Sequence, residues 1–453
     1  MSKHFSEGRE LPIFFYGQSY GFSFVEVLFI STFYFVLGVS EIAIKLSMLL
    51  LWTFGIMFFY KTLKEIGPRG NQWTALLVAI LLIFFPAWAI WSMKARGGYL
   101  TAFALSSFVT YLLFSNKGNK SLHSVLIGLC VVVIYQSQPL WLAGLIPIIV
   151  YRMYVLKRVR LIIQLCASTA IGILAFSFLK EGISSFWSPA IPSLSNFSFS
   201  SFERIPNQIY KNFTGSYYYG HFIEPNLLIQ ALAGVFTSFI VLGLPLGIYF
   251  YLRGKKASSL FYVFCLSVLC TISYLLIMKG NNPRYLLPLS GFLMLVLYQM
   301  MIESRRRVLI NSLVCSAIVL SSLAMYSIKD HQFDQSKKAE LLALVAGLEE
   351  RDFNHIYVNG GLLQWQIMYY SNERIIGRFR SSTDRYPPYI KYVDDALDDG
   401  STGVAMVGFI DPNDTSMSSH IVPVEGVYYI YESPAESTLR EYGFLFKKDE
   451  FNN

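Results

Sequence analysis

The sequence contains few charged residues. Asp, Glu, Lys and Arg make up 15% of its 453 residues, whereas hydrophobic residues make up 54% and aromatic residues 16%. Soluble domains carry about 25% charged residues, and a chain this poor in charge cannot cover its surface in water. With a mean hydropathy of +0.45, the composition indicates a polytopic membrane protein. It excludes a soluble enzyme, a disordered chain and a nucleic-acid binder.

Cysteine and histidine are scarce as well. The five cysteines lie in apolar runs, with no CxxC spacing, at Cys130, Cys166, Cys265, Cys270 and Cys315. The six histidines form no HxH or HxxxH pair. We therefore expect neither a disulfide framework nor a zinc site, and no metal or other cofactor.

The net charge of +8 is divided unevenly along the chain. Residues 1–327 contain 25 Lys and Arg against 9 Asp and Glu, whereas residues 328–453 contain 12 against 20. This distribution does not favour nucleic-acid binding. It predicts a basic membrane domain over 1–327, followed by an acidic soluble domain over 328–453.

Ten apolar segments are long enough to be considered as spans, because about 20 apolar residues cross about 30 Å of hydrocarbon. We predict spans near 40–60, 72–92, 98–115, 121–136, 139–156, 159–179, 226–252, 258–279, 284–302 and 307–327. An eleventh apolar segment covers 20–38. It is either a further span or a stretch that lies on the membrane surface.

The positive residues between these segments predict the sidedness. Alternate loops contain 15 Lys and Arg in one set and 7 in the other. Because Lys and Arg are enriched in cytoplasmic loops, the richer set is predicted to be cytoplasmic. The long loop 180–225 and the whole 328–453 domain are then predicted outside.

The 328–453 domain has an alternating pattern of helix and strand. Residues 337–350, 361–371 and 389–397 have helical character, whereas residues 355–360, 374–378 and 403–409 are typical of strands. Alternation of this kind predicts a small α/β domain with a mostly parallel sheet. The segment has no phosphate loop and no nucleophile elbow, so a purely structural role is one interpretation of it.

Three polar clusters fall at predicted outer membrane ends. They are LPIFFYGQSYGFSFVE at 11–26 with Tyr16, Gln18, Tyr20 and Glu26; SMKARGGYLT at 92–101 with Lys94, Arg96 and Tyr99; and KGNNPRYLLP at 279–288 with Lys279, Arg284 and Tyr285. Cations on the outer side run against the usual bias, and Lys and Arg both suit phosphate. We therefore predict an anionic ligand at the outer interface, with a polyprenyl phosphate headgroup fitting that position.

Each cluster also has a simpler interpretation. A lone cation such as Lys94 commonly reaches toward lipid headgroups, and tyrosines are ordinary in the interfacial belt. Pro283 fits the start of a helix. The shared side of the three clusters favours a common site, so we predict that Lys94, Arg96 and Arg284 converge in one cavity that opens to the outer face.

The same motifs resemble those of bacterial membrane glycosyltransferases of the GT-C superfamily. The stretch GRELPIFFYGQSYGFSFVEVLF, then WSMKARGGY and later NNPRYLLPL, is similar to the family 39 (protein mannosyltransferase-like) and aminoarabinose-transferase-like branch. The segment HIYVNGGLLQWQIMYYSNERIIGR resembles the small extracytoplasmic domain that ends many such chains. The resemblance covers essentially the whole chain and implies a mainly α transmembrane bundle of about 10–11 spans with a C-terminal α/β domain.

The resemblance also implies an activity. Such enzymes transfer a sugar from a polyprenyl-phosphate donor at the outer face of the membrane, with inversion, to a glycan, lipid or protein acceptor. Basic residues stabilise the departing lipid phosphate, a role that falls here on Lys94, Arg96 and Arg284. The donor site would be shaped by Tyr16, Gln18, Tyr20, Tyr99 and Tyr285. The implied location is the bacterial inner or plasma membrane, within the cell envelope.

The catalytic carboxylate is the point of departure from the family pattern. The family has a first transmembrane helix and an Asp-containing motif ahead of this stretch, whereas Met1 lies only seven residues before Gly8. We expect either that these elements precede Met1 or that the chain is a degenerate, non-catalytic relative. Glu7 and Glu10 are the acids nearest the motif, and neither lies where the family places its general base.

Two other functional classes make different predictions. A transporter or flippase of lipid-linked sugars would have inverted repeats or broken helices near the midplane, with charges inside spans. The sequence shows no repeat, and the centres of its predicted spans lack charge. A non-enzymatic scaffold that binds partners through its tail would tolerate replacement of Lys94, Arg96 and Arg284.

Overall fold

The computed structural model divides the chain into two compact units, Met1–His331 and Gln332–Asn453. It describes residues 1–9, 11–14, 16, 21–68, 70–116, 118–179, 200–214, 258–277, 283–303, 335–380, 386–401, 403–410 and 421–446, with nine scattered positions between 227 and 319. The predicted spans at 226–252 and 307–327 lie almost entirely outside these residues.

The described part of the first unit is built from helices. They are α1 Ser2–Ser6, α2 Phe24–Leu37, α3 Glu41–Ile66, α4 Gln72–Ile83, α5 Pro86–Trp91, α6 Tyr99–Phe114, α7 Lys120–Ser137, α8 Leu140–Leu156, α9 Val159–Leu179, α10 Ser200–Thr214, α11 Ser259–Leu276, a 3-10 turn Pro283–Leu286 and α12 Leu287–Glu303. By length and composition, α3, α7, α9 and the segment 284–303 can each cross a membrane, and α2, α4, α6, α8 and α11 are shorter apolar helices. The chain is an integral membrane protein with a mainly helical bundle.

Local sequence determines where several of these helices begin. The Ser40 hydroxyl accepts a hydrogen bond from the Ala43 amide at 3.3 Å at the start of α3, as expected of an N-cap. The span expected over 72–92 is instead two helices, with Phe84 and Phe85 between α4 and α5. Pro86 is the first residue of α5. Proline lacks an amide hydrogen and clashes with the preceding turn, so it starts a new helix rather than continuing α4.

Buried tryptophans and close helix pairs form the core of this unit. The Trp88 indole donates to Ser290 Oγ on α12 at 2.9 Å, and its ring centroid lies 4.7 Å from that of Phe103 on α6. Helix α3 packs along α6, and α7 packs along α9. A β-carbon on Gly128 would lie 2.7 Å from the Leu165 carbonyl oxygen, so only glycine permits this approach of α7 to α9.

The long loop 180–225 contains a helix that the sequence analysis did not predict. Helix α10 covers Ser200–Thr214, and it contacts α5, α11 and the 3-10 turn. Residues at i, i+3, i+4 and i+7 face inward on it, namely Ile205, Gln208, Ile209 and Asn212. This spacing is the period of a helix with one buried face, and it was the signal available in the sequence.

The second unit is a small α/β domain. Its elements are α13 Gln335–Glu349, β1 His355–Val358, α14 Gly361–Tyr370, β2 Ile376–Phe379, α15 Pro387–Asp398, β3 Val404–Phe409, β4 Ile421–Val424, β5 Tyr428–Glu432 and α16 Glu436–Glu441. The strand order is β2-β1-β3-β5-β4. Strand β1 pairs in parallel with β2 and β3, whereas β5 pairs antiparallel with β3 and β4.

The expectation of a mostly parallel sheet is therefore wrong for the half formed by β5 and β4. A short connection from Val424 to Tyr428 joins these two strands, and a connection of that length can only produce an antiparallel hairpin. The β1-β2 and β1-β3 pairs are joined through helices, as expected for parallel strands.

Hydrophobic residues cover both faces of this sheet. Successive strand residues point to opposite faces. One face packs with α13 and α14 through Leu344, Leu348, Ile356, Val358, Ile367, Ala405 and Val407. The other packs with α15, α16 and the segment after α16 through Tyr357, Val393, Met406, Leu439, Phe444 and Phe446.

Candidate functional site

A short basic loop, residues 92–98, connects α5 to α6. Lys94 and Arg96 are half-buried in it. The Lys94 ammonium lies 5.2 Å from the centre of the Trp91 ring at the end of α5, which is within cation–π range. Gly97 and Gly98 then turn the chain into α6, with φ angles of +60° and +74°.

The second basic segment is the 3-10 turn Pro283–Leu286. It carries Arg284 and Tyr285 directly ahead of α12. The Arg284 guanidinium carbon lies 5.3 Å from the centre of the Tyr285 ring. This turn is therefore the start of the apolar segment 284–303, as the sequence pattern indicated.

These two segments, almost 200 residues apart in the chain, converge electrostatically on Lys94. Burial, then the positive charge of Arg96, then that of Arg284, lower the pKa of Lys94 to about 8. Like charges brought together in a partly desolvated position disfavour the protonated ammonium. An anion bound among the three cations would relieve this repulsion, so the arrangement suits an anionic group.

Aromatic rings flank the cationic cluster. The Trp91 and Tyr99 ring centroids are 4.9 Å apart, and Tyr99 is the first residue of α6. Tyr99 is buried, whereas Tyr285 is half-buried. Of the predicted donor-site tyrosines, Tyr285 therefore lies on the same turn as Arg284, and Tyr99 directly follows the basic loop.

The remaining predicted site residues occupy other surroundings. Tyr16 is buried, and its hydroxyl lies 2.7 Å from Nδ1 of the buried His4 on α1. Glu7 forms ion pairs with Lys3 at 3.5 Å and with Arg9 at 2.8 Å. The side chains of Glu10, Gln18 and Tyr20 lie outside the described residues. Glu7 and Glu10 stay candidates for the general base, and neither is assigned that role.

Helix α10 covers the segment that carries Arg284. A narrow, mainly apolar cleft lies beneath it, lined by Phe85, Ile209, Asn212, Leu286, Leu289, Ser290 and Leu293. The buried amides of Gln208 and Asn212 lie one turn apart on the inner face of α10. Within the described residues, no group of His, Cys, Asp and Glu could hold a metal ion.

Comparison with known proteins gives a similarity in structure and none in sequence. No protein-family model matches the chain, and no curated protein matches it significantly. The crystal structure of ArnT from Cupriavidus metallidurans bound to undecaprenyl phosphate superposes with a TM-score of 0.60 at 11% identity, covering 96% of this chain and 92% of ArnT. The apo structure of the same protein gives 0.57 at 12% identity, covering 95% and 92%.

The chain has a GT-C fold. The match extends over nearly the whole of both chains, so it includes the helical bundle and the C-terminal α/β unit of this protein. The expected fold class is thereby confirmed. At 11% identity the similarity concerns the fold alone, and the residues of this chain must be judged by their own geometry.

One residue of the site was missed as a functional candidate. Glu26 appeared in the sequence analysis only as a polar member of the 11–26 cluster. It is buried in the first turn of α2, and backbone amides of Gly98, Leu100 and Thr101 hydrogen-bond to it. Its partners belong to another helix, so a local sequence pattern could not reveal the contact.

Proposed function

We propose that this protein is a membrane glycosyltransferase that moves a sugar from a polyprenyl-phosphate donor to an acceptor at the outer membrane face. The observation that carries the proposal is the effect of the positive charges of Arg96 and Arg284 on Lys94, in a chain with a GT-C fold. A structure with the same fold binds undecaprenyl phosphate, which supports a lipid phosphate as the anion. The acceptor is a glycan, a lipid or a protein.

In this proposal each chemical role falls on a named group. The ammonium of Lys94 and the guanidinium groups of Arg96 and Arg284 hold the phosphate and stabilise its charge as the sugar–phosphate bond breaks. Tyr99 and Tyr285, with Tyr16, Gln18 and Tyr20, shape the donor site. The reaction inverts the sugar, because the acceptor attacks from the face opposite the phosphate.

The proposal includes a location. The excess of positive residues in alternate loops favours a bacterial inner or plasma membrane orientation with the basic loop and the Gln332–Asn453 unit outside. A sugar carried on a polyprenyl phosphate is membrane-bound, so a site at the outer end of the helices meets its headgroup without extracting the lipid. The products would then belong to the cell envelope.

The phosphate site can be tested by measuring undecaprenyl phosphate binding to purified protein. Lys94→Ala and Arg284→Ala should each weaken binding by about 10-fold or more, because a hydrogen bond to a charged group contributes about 1.5–3 kcal/mol. Lys45→Ala is the matched control, since Lys45 is a half-exposed cation near the start of α3 that pairs with Glu41 at 4.0 Å. Equal binding by the Lys94→Ala, Arg284→Ala and Lys45→Ala variants would overturn the site.

The activity can be separated from lipid-sugar transport in vesicles that contain a labelled polyprenyl-phosphate sugar. A transferase releases the sugar from the phosphate and attaches it to an added acceptor. A flippase moves the intact lipid-linked sugar to the other leaflet. Translocation without cleavage would show that the protein is a transporter and not a transferase. Binding without either reaction would indicate a non-catalytic relative.

A further inference from the structure

Glu26, a residue of α2, places a buried carboxyl group at the start of α6. Only 4% of its surface is exposed, and the amides of Gly98, Leu100 and Thr101 hydrogen-bond to its side chain, whereas its Oε1 has no hydrogen-bond partner among the described residues. The first amides of a helix have no partner inside the helix, and the helix N-terminus is partially positive. A carboxylate from α2 therefore satisfies the first turn of α6, a task that a side chain of the helix itself usually performs.

A second side chain fixes the same stretch of backbone from another direction. The Gln138 amide donates to the Gly97 carbonyl oxygen at 2.6 Å. A β-carbon on Gly98 would lie 2.9 Å from the Phe22 carbonyl oxygen and 2.8 Å from the Ser137 β-carbon. The two glycines are thus enclosed by the chain ahead of α2 and by the end of α7, in a conformation with positive φ that favours glycine.

These contacts of Glu26, Gln138, Phe22 and Ser137, which we call the clamp, hold the end of the basic loop at Gly97 and Gly98. Arg96 immediately precedes the two glycines, and Lys94 lies two residues earlier. Long cationic side chains keep a common geometry only if the backbone that carries them is fixed. The Arg284 segment is anchored separately by α12, so the relative position of the cations depends on how the end of the basic loop is held.

We infer that Glu26 is a positioning residue, which holds the first turn of α6 and thereby fixes Lys94 and Arg96 opposite Arg284 for a phosphate ligand. The inference rests on the proposed function for its ligand, but the clamp itself does not depend on that function. Glu26 does not contact the phosphate. It acts through the backbone of residues 97–101.

The clamp is tested first by hydrogen exchange in the full-length protein without ligand. In Glu26→Ala, the amides of Gly98, Leu100 and Thr101 should exchange about tenfold faster than in the wild type, because the hydrogen bonds that hold them are lost. Glu26→Gln keeps one acceptor oxygen and should give a smaller increase. Val27→Ala is the matched control, since Val27 is buried one residue away on α2. Unchanged exchange of these amides in Glu26→Ala would overturn the inference.

The consequence is tested by undecaprenyl phosphate binding to the same variants. Glu26→Gln should bind about tenfold more weakly than the wild type, a loss of about 1.4 kcal/mol, because cations on a less firmly held backbone bind the phosphate less well. Its thermal unfolding should stay close to that of Val27→Ala. If Val27→Ala loses as much binding, Glu26 affects binding only through the stability of the fold, and the positioning role is overturned. If the wild type fails to bind while Glu26→Ala still shows faster exchange at 98–101, the proposed function fails and the clamp stands.

Discussion

Lys94 is held among like charges, and this changes the pH range in which it titrates. A free lysine has a pKa of about 10.4, whereas burial, followed by the charges of Arg96 and Arg284, brings that of Lys94 to about 8. A growing fraction of its ammonium is therefore neutral as the pH rises from 7 to 9. A phosphate ligand needs the charged form, so binding takes up a proton in this range.

We expect the affinity for undecaprenyl phosphate to fall as the pH rises through about 8. The decrease approaches about tenfold per pH unit above that value, because one proton is bound with the ligand. A phosphate monoester has its second pKa near 6 and does not itself titrate between pH 7 and 9. The measurement is the Kd at half-unit steps across this range.

Lys94→Arg is the control for this pH dependence, because a guanidinium stays protonated throughout. That variant should bind with a nearly constant Kd between pH 7 and 9. Parallel pH profiles for the wild type and Lys94→Arg would show that Lys94 does not contribute the titrating group.

The cations and the clamp differ in how far the sequence could reveal them. Lys94, Arg96 and Arg284 could be grouped in advance because each breaks the positive-inside bias on the same predicted side of the membrane. Glu26 could not, because the amides it binds lie more than 70 residues away and contribute no distinctive side chain to a motif. A backbone amide is present in almost every residue type, so a contact with it cannot be recognised from the sequence, whereas a charged side chain can.

At the scale of helices and strands, the length of the apolar runs predicted several helices, whereas interruptions of the regular backbone were not predicted. The helices at α3 and α6 to α9 follow uninterrupted apolar runs, which have few alternatives in a membrane. The break at Pro86 and the β4–β5 hairpin were not predicted. Pro423 lies inside β4, and a proline inside a short segment argues against a strand unless that strand is an edge, as β4 is.

Arg378 joins three elements of the second unit. It lies on β2 with a fully buried side chain, and its Nη1 lies 2.6 Å from both carboxylate oxygens of Asp394 on α15. Its Nη2 donates to the Leu445 carbonyl oxygen at 2.6 Å in the segment after α16. The Tyr357 hydroxyl on β1 donates to the same carboxylate at 2.9 Å. Removing Arg378 would leave the Asp394 carboxylate without its positive partner and the Leu445 carbonyl oxygen without this donor.

We therefore expect Arg378→Ala to destabilise the second unit by about 3 kcal/mol, at the lower end of the range for breaking a buried pair, because Asp394 is 19% exposed. Arg374→Ala is the control, since Arg374 pairs with Glu349 at 2.8 Å on the surface and should cost about 0–1 kcal/mol. Native-state hydrogen exchange of the β1 amides in the full chain measures both. Similar losses in the two variants would show that the buried network contributes no more than a surface pair.

At the scale of the whole molecule, charge predicts orientation. Residues 1–327 carry a net +16 and residues 328–453 a net −8, and the excess of Lys and Arg is concentrated in alternate loops. Short loops rich in Lys and Arg stay on the cytoplasmic side, whereas a long domain is translocated largely regardless of its charge. The GT-C fold does not by itself fix this direction, so the orientation rests on the loop charges.

Cysteine labelling in intact cells tests the orientation directly. Ala95 in the basic loop and Asn116 in the next loop are both exposed, and α6 lies between them. With a membrane-impermeant maleimide, Ala95→Cys and Asp399→Cys should react from outside, whereas Asn116→Cys should react only after the membrane is permeabilised. The wild type gives the background, because its five cysteines lie in apolar runs. If Ala95→Cys and Asn116→Cys are labelled from the same side, α6 does not cross the membrane. If only Asn116→Cys is labelled from outside, the orientation is the reverse of the predicted one, and the cationic site lies at the cytoplasmic face.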